Sequence, residues 1–394
     1  MTAAVDFNPY RYDFHEDPYP FYAQLRAVAP VYHNAEIGFF ALSHHRDVLA
    51  GFKDTARLSS AFGVTLDPAA TGRHAEFASS FLAMDAPRHT RMRNLVSRGF
   101  TPRRVSQIEP RIRALAAEYL DPLRGLSEID VVGDFAARLP MDVISELLDV
   151  PRDERDALRG WADAMLHREE GVQDVPPEGV EGFFNLRAYF TGLIAERRRR
   201  PGTDLVSALF DADIDGEKLS DDEIIAFCNL MIVAGNETTT KLIANCVYWL
   251  WRHPDQARLL DEDAGLIPGW IEETLRYDNS TQIIARTATS DFEVRGVQIP
   301  RDARVLLLIG SANRDPAVFD DPDRYDVRRV QTEMMSFGHG THFCLGASLA
   351  RLETRVSLEE FRRRFPRFEV REEGAVRVHS VNVRGFSKLP VAVG

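Results

Sequence analysis

The sequence predicts a mainly α-helical fold with small β-sheets (α+β). Three observations carry that prediction. Residues 220–251 read as one uninterrupted helix, opened by Ser220 and Glu223 as a capping box. Its length of about 32 residues gives roughly 48 Å, enough to span the molecule. Apolar residues recur at helical spacing through most of the remaining chain. Short apolar runs suited to strands are confined to about 28–43, 284–310 and 376–392. With 394 residues and no internal repeat or low-complexity stretch, the chain reads as one domain over 1–394. Those three stretches would supply its β-rich subregion.

Residues 18–29 form a short helix opened by proline. Residues 31–42 follow as two strands turning at Glu36-Ile37-Gly38, and 44–52 as another short helix. Residues 59–81 have no period and carry Gly63, Pro68 and Gly72, which suggests a long, mobile loop able to close over a site. Pro87 opens a helix that sets His89 and Arg93 four residues apart on one face. Two donors on one face suit a carboxylate partner; a solvated basic face is the plainer alternative. Helices are expected over 102–123, 134–148, 152–167 and 182–200, with a hinge-like loop at 169–180.

The 220–251 helix is apolar nearly all round at both ends, as a buried helix is. Its middle, Ala234-Gly235-Asn236-Glu237-Thr238, breaks that pattern. A mid-helix glycine costs about 1 kcal/mol, and a buried acid beside a hydroxyl costs more unless both are paired. Such departures tend to mark function. Thr238 is spaced to bond the Ala234 carbonyl one turn back and open a small groove. A kinked core helix holding a water is the structural alternative. Residues 266–277 form a short helix with Glu273 and Arg276 on one side. Residues 284–297 read as hairpin strands with Arg286 near the start, 305–309 as strand or helix, and 313–329 as a turn-rich meander. Terminal strands surround Gly385-Phe386.

The meander leads into Ser336-Phe337-Gly338-His339-Gly340-Thr341-His342-Phe343-Cys344-Leu345-Gly346, three of whose eleven residues are glycine. Glycine allows positive φ and close backbone approach, so this is a tight loop. A helix over 347–361 follows, which puts Cys344 at a helix N-terminus, where a thiolate is favoured. A thiolate in a glycine-lined loop beside aromatics suits an axial sulfur ligand to a large flat cofactor. The loop alone leaves three other readings open. Cys344 is a small buried hydrophobe, a zinc ligand with His339 and His342, or a nucleophile with His342 as its base.

A formal net charge of −12 argues against nucleic acid or an anionic membrane as the main partner. Of the three cysteines, Cys228 and Cys246 lie 18 residues apart on the long helix. That is about 27 Å, beyond disulfide reach. No secretory signal stands at residues 1–10 and no run of about 20 apolar residues occurs, so a cytoplasmic protein without a membrane anchor is expected.

Four stretches in this order resemble the cytochrome P450 family of haem-thiolate monooxygenases, in its soluble bacterial form. Phe337, Gly338, Gly340, His342, Cys344 and Gly346 match F-G-x-G-x-H-x-C-x-G. Ala234-Gly235-Asn236-Glu237-Thr238 matches A-G-x-[DE]-T, Glu273 to Arg276 matches E-x-x-R, and His89 with Arg93 matches H-x-x-x-R. The resemblance implies the P450 fold, with the long central helix lying over haem b (iron protoporphyrin IX). It implies Cys344 as the axial ligand to iron, with Phe337 and Gly338 beside the haem and Ala234 and Gly235 on its other side. His89, Arg93, Arg286 and His342 would neutralise the propionates. Glu273, Arg276 and Arg324 would form a buried triad that holds the cysteine loop. Thr238 and Glu237 would supply protons on the side opposite the sulfur.

O2 would be the co-substrate, with electrons from NAD(P)H through a ferredoxin reductase and a ferredoxin. Arg98, Arg103, Arg104, Arg351 and Arg355 would form the ferredoxin docking face. By position, Phe62, Val64, Leu82, Met165, Val233, Ile283, Ile284 and Phe386 would line the substrate pocket. That lining suits a medium-to-large lipophilic small molecule: a polyketide, macrolide, terpenoid or steroid. A monomer is expected. The family also contains peroxide-driven fatty-acid hydroxylases and decarboxylases, and catalytically silent haem-binding partners. The first replace the acid–alcohol pair with an arginine; the second tend to lose the cysteine or that pair.

Overall fold

The central helix runs from Asp221 to Arg252, and its capping box is in place: Ser220 Oγ accepts from Glu223 N and Glu223 accepts from Ser220 N. This computed structural model describes residues 5–97, 99–202, 204–210, 213–214 and 216–394. The helices Arg138–Leu147, Arg155–Leu166, Pro177–Arg199, Ile267–Tyr277 and Ala347–Arg364 all pack on the central one. Its apolar ends, including Ile224, Phe227, Ile243, Val247 and Leu250, form the middle of the largest hydrophobic core. Burial of such side chains contributes about 1.5–3 kcal/mol each, which explains why this helix organises the rest. Cys228 and Cys246 are buried along it and unbridged.

Several boundaries differ from expectation for local reasons. The 102–123 segment is two helices, Pro102–Gln107 and Glu109–Leu120, followed by a short 3-10 turn. Pro110 cannot donate a helical hydrogen bond, and the chain turns there. Residues 134–148 divide into a π-helical turn, Val131–Ala136, and the helix Arg138–Leu147. The 182–200 helix starts earlier, at Pro177, because proline suits the first helical position. Gly179 and Gly182 are packing positions: a Cβ there would lie 2.7 Å from the Ala164 carbonyl and 2.6 Å from that of Trp161. The 59–81 segment is more ordered than its sequence suggests. It holds Pro68–Ala70, Ala75–Ser79 and Ser80–Ala83, with Ala75–Ser79 against the central helix. Each piece is one turn long, too short to show a period.

The larger sheet has the order Val31–Asn34, Phe39–Leu42, Arg304–Leu308, Ile283–Ala288, Leu58–Ser59. The expected hairpin over 284–297 does not form. Ile283–Ala288 pairs with Arg304–Leu308 and Leu58–Ser59 instead. The local hairpin joins Phe292–Val294 to Val297–Ile299 through Arg295 and Gly296, at φ 51° and 81°. A primed turn of that kind matches strand twist. A second sheet orders Phe368–Val370, Pro390–Val393 and Glu128–Asp130, drawing in strands outside the three predicted stretches. Among the described residues, no helix is long and apolar enough to cross a membrane.

Candidate active site

The 336–346 loop turns on Gly338 and Gly340, both at φ 69°. A Cβ on Gly340 would come within 3.2 Å of the Phe52 carbonyl, so a side chain there would crowd the backbone. Cys344 N donates to Phe337 O at 2.9 Å, and Gly338 N to Met335 O at 2.8 Å. These bonds fold the loop back on itself and set the sulfur before the helix Ala347–Arg364. Cys344 carries accessible surface yet is enclosed by protein, so it lines a cleft. Burial pushes its thiol up; the Gly346 N–H and the Arg93 and Arg351 guanidiniums act in the opposite direction. Arg351 also lies over the Phe337 ring, 4.4 Å from its centroid.

The plainer readings of this loop find no support. His342 turns its ring to His89, 4.1 Å between centroids, and to the Met84 backbone, and it is not among the groups that act on the Cys344 thiol. Among the described residues no group of three or more His, Cys, Asp or Glu side chains could hold a metal ion, so a zinc set does not assemble.

His89, Arg93, Arg286 and His342 come together from three separate segments. Burial lowers the pKa of all four, most for His342, held down to about 3, and Arg286, down to about 10. Mutual repulsion adds to this: Arg286, His89 and Arg93 all act on His342. Among the described residues His89 Nε2 and His342 Nδ1 are buried and find no hydrogen-bond partner. Arg286, 4% exposed, donates to its own neighbour's carbonyl on Ala285, and Arg93 to Phe343 O. The Asp85 carboxylate acts on His89 and Arg286 but takes its hydrogen bonds from Ser59 Oγ and Ser60 N; buried cationic and donor groups short of anionic partners are costly. A dianion would satisfy them, and two propionates beside the Cys344 thiolate have that chemistry. The residues present therefore fit haem.

Between its exposed ends the central helix regains accessible surface in its middle. Val233, Ala234, Gly235 and Thr238 carry accessible surface, whereas 224–232 and 239–247 are buried. Thr238 Oγ1 donates to Ala234 O at 2.9 Å, the back-bond its spacing predicts, and Ser280 Oγ donates to Thr238 O at 2.8 Å. Ala234 is the most exposed of the group. A Cβ on Gly235 would meet Ile144 at 3.4 Å, so that position faces the Arg138–Leu147 helix and not the cofactor side. Glu237 is buried beside Lys241 Nζ at 3.0 Å and accepts from Asn236 Nδ2 at 3.2 Å. Burial would raise its pKa, but Lys241 and a hydrogen bond with Asp163 outweigh burial and hold Glu237 below the usual carboxylate range.

Glu273 and Arg276 form a fully buried bidentate pair, at 2.7 and 2.9 Å. The third member is Arg329, not Arg324. Arg329 Nε lies 3.4 Å from Glu273, while the Arg324 side chain is 62% exposed and only its carbonyl accepts from Arg276. The chain turns at Asp321, with φ 46°, and sends Arg324 outward. Arg276 also donates to Asn313 O and Pro322 O, and Ser336 Oγ donates to Leu275 O. The pair thus ties the meander and the start of the cysteine loop to one helix. A buried ion pair of this kind is better explained by placement than by stability.

Comparison with known proteins matches the cytochrome P450 family over residues 188–390. Cytochrome P450 123 of Mycobacterium tuberculosis is 54% identical over 387 residues, 98% of this chain and 96% of the relative. The chain belongs to the cytochrome P450 family. Its structure superposes on that of CYP109Q5 from Chondromyces apiculatus with a TM-score of 0.88 at 35% identity, covering 99% of this chain and 98% of the other. A mutant of P450 EryK in complex with erythromycin B gives 0.85 at 35% identity, covering 96% of each. This P450 is a monooxygenase of a family that uses haem and O2.

Around its cleft, Phe62, Leu82, Met165, Val233 and Ile284 carry accessible surface. Val64 is 6% exposed, and Ile283 and Phe386 are closed off at 0% and 2%. Strand alternation turns Ile283 into the opposite core from Ile284. Phe386 packs on Tyr248, 4.9 Å between centroids, ten residues or about 15 Å along the helix from Thr238. It belongs to the core and not to the pocket.

A long-range link that the sequence did not reveal joins the 59–81 segment to the chain after the Arg155–Leu166 helix. Arg168, after the Arg155–Leu166 helix, makes a buried bidentate pair with Asp67 at 2.8 and 2.8 Å. No local pattern marks two residues 101 positions apart. Of the five arginines expected to form a docking face, Arg351 is paired with Glu272 and Arg355 with Glu109 and Glu359. Among the described residues Arg103 and Arg104 are exposed and have no ion-pair partner, and Arg98 lies outside the described residues.

Proposed function

We propose that this P450 inserts one atom of O2 into a C–H or C=C bond of a medium-to-large lipophilic secondary metabolite, with electrons from a ferredoxin. The intact acid–alcohol pair carries this reading: Thr238 stands in an accessible notch of the central helix, with Glu237 buried beside it. Haem b, held through Cys344 and through His89, Arg93, Arg286 and His342, supplies oxygen activation and electron uptake when bound. Substrate carbon gains one oxygen atom; the other leaves as water, which takes up two protons and two electrons. Thr238 holds a proton at Oγ1 where the helix opens, and Glu237 relays protons to it. Burial raises the Cys344 thiol on balance, and the Gly346 N–H, Arg93 and Arg351 work against that rise. Phe337 shields the sulfur side from water.

The accessible residues Phe62, Leu82, Met165, Val233 and Ile284 are apolar, which favours a lipophilic substrate. The similar EryK structure, which holds erythromycin B, supports the size class. Glu237 and Thr238 disfavour the peroxide-driven fatty-acid reading, and the presence of Cys344 with that pair disfavours a silent partner.

A lipophilic compound library is screened for low- to high-spin shifts, and the hits are incubated with NADH, reductase and ferredoxin or with peroxide alone. Product that depends on NADH and ferredoxin is expected. Turnover by peroxide alone, or binding without turnover under both conditions, would overturn the proposal.

A further inference from the structure

A second cleft, of about 440 Å³, opens where the C-terminal end of the central helix meets the Tyr19–Val28 helix and the meander. Trp249 on its wall lies eleven residues, or about 16 Å, along the central helix from Thr238, so this cleft is separate from the catalytic notch. Its walls are aromatic, made by Tyr19, Tyr248, Trp249 and Tyr277. Arg26, Arg314, Arg377 and Arg384 also line it. Glu16, Asp17 and Asp323 line it with exposed side chains, which places them at its mouth.

Two of the arginines are already paired. Arg314 lies between the Tyr19 and Tyr277 rings, 3.6 Å from each centroid, donates to Tyr277 O and pairs with Asp323 at 3.1 Å. Arg384 pairs with buried Asp278 at 2.7 Å and donates to the His15 and Glu16 carbonyls. The other two are not. Arg26 donates to Ser311 at 2.9 and 3.0 Å, and among the described residues it has no ion-pair partner. The Arg377 side chain is 10% exposed, and Asp278 lies 3.6 Å from its Nη1, too far for a hydrogen bond. Asp278 already accepts from Tyr19 Oη at 2.7 Å, Trp249 Nε1 at 2.8 Å and Arg384. Among the described residues Arg377 Nη1 finds no hydrogen-bond partner. Its guanidinium lies over Phe386, 3.8 Å from the ring centroid. Stacking uses the face of a guanidinium and leaves its edge donors to be filled. Burial and Arg384 hold Arg377 down to about 10, so it is cationic at neutral pH.

A buried cation with an unfilled donor is costly, and an anion entering the cleft would fill it. A carboxylate presents two acceptor oxygens in one plane, the shape a guanidinium edge matches. Aromatic walls favour a flat apolar body beside that carboxylate. The acidic mouth repels a dianion such as a phosphate monoester and so selects a single negative charge. We propose that this cleft binds a small aromatic monocarboxylate, its carboxylate paired with Arg377 and its ring among Tyr19, Tyr248 and Trp249.

The probe is naphthoate, titrated by calorimetry into the haem-loaded full chain with phenylimidazole present to fill the catalytic cleft. One site per chain is expected, and naphthamide, the neutral analogue, should bind roughly 10-fold more weakly or worse. Naphthyl phosphate should also bind more weakly than naphthoate. Arg377→Gln should abolish the preference for acid over amide. Asp278 keeps Arg384, Tyr19 and Trp249 in that variant, so haem incorporation should be unchanged. Asp17→Asn removes a charge from the exposed mouth and should tighten naphthoate binding about 2-fold. This variant and the amide comparison decide the matter even if Arg377→Gln fails to fold. No heat at millimolar naphthoate overturns the proposal and leaves Arg377 as a merely hydrated side chain. Equal binding of acid and amide, or unchanged acid binding in Arg377→Gln, also overturns it. Binding seen only without phenylimidazole assigns the ligand to the haem cleft and overturns it as well.

Discussion

The Asp67–Arg168 pair sets how firmly residues 62–72 are held to the chain after the Arg155–Leu166 helix. Asp67 is fully buried and the Arg168 side chain is 6% exposed, with both guanidinium contacts at 2.8 Å. In Arg168→Met the Asp67 carboxylate stays buried with only the Thr65 hydroxyl as a side-chain donor, at 2.7 Å. Breaking a buried pair from one side costs about 3–5 kcal/mol. Part of that cost is avoided if residues 62–72 lift away and let water reach Asp67. The ratio of closed to open forms should therefore drop by roughly 100- to 1,000-fold. Hydrogen exchange of residues 62–72 and 165–175 is the assay, with urea unfolding alongside. Arg168→Met should lose protection in both segments together. Asp67→Asn combined with Arg168→Met should recover most of it, because no charge is then left buried. Unchanged protection with a stability loss under about 1 kcal/mol, typical of an exposed pair, would refute the reasoning.

Three further predictions follow from the same geometry. Thr238→Ala removes the hydroxyl at the helix notch and should raise NADH consumption without product by roughly 10-fold; unchanged product per NADH counts against its role. Arg329→Met should cost about 1–3 kcal/mol in urea unfolding, since Glu273 loses a buried partner, whereas Arg324→Met should stay within about 0.5 kcal/mol. Equal effects would restore Arg324 to the triad. Asp278 is fully buried, and although burial would raise its pKa, Arg384 and Arg377 with the Trp249 and Tyr19 hydrogen bonds hold it down to about 2. A depressed folded pKa contributes stability above the unfolded value, 3.8, that is lost as pH falls toward about 2. That loss should be roughly 2 kcal/mol and should be missing in Asp278→Asn, as read from urea unfolding at stepped pH.

The chain's local chemistry was enough for the central helix, the cysteine loop and the family. Ser220 and Glu223 cap within three residues, Thr238 back-bonds within four, and Gly338 and Gly340 turn within the loop they belong to. These are short-range interactions, so the residues that make them are visible together. Tertiary structure decided what depends on distant partners. It chose Arg329 over Arg324, because a turn at Asp321 decides which arginine points inward. It closed off Phe386 and Ile283, because burial depends on which core each strand face meets. It brought Asp67 to Arg168, a contact between segments that share no pattern. Residue types could announce the chemistry of this P450, but only packing could say which copies of those residues perform it.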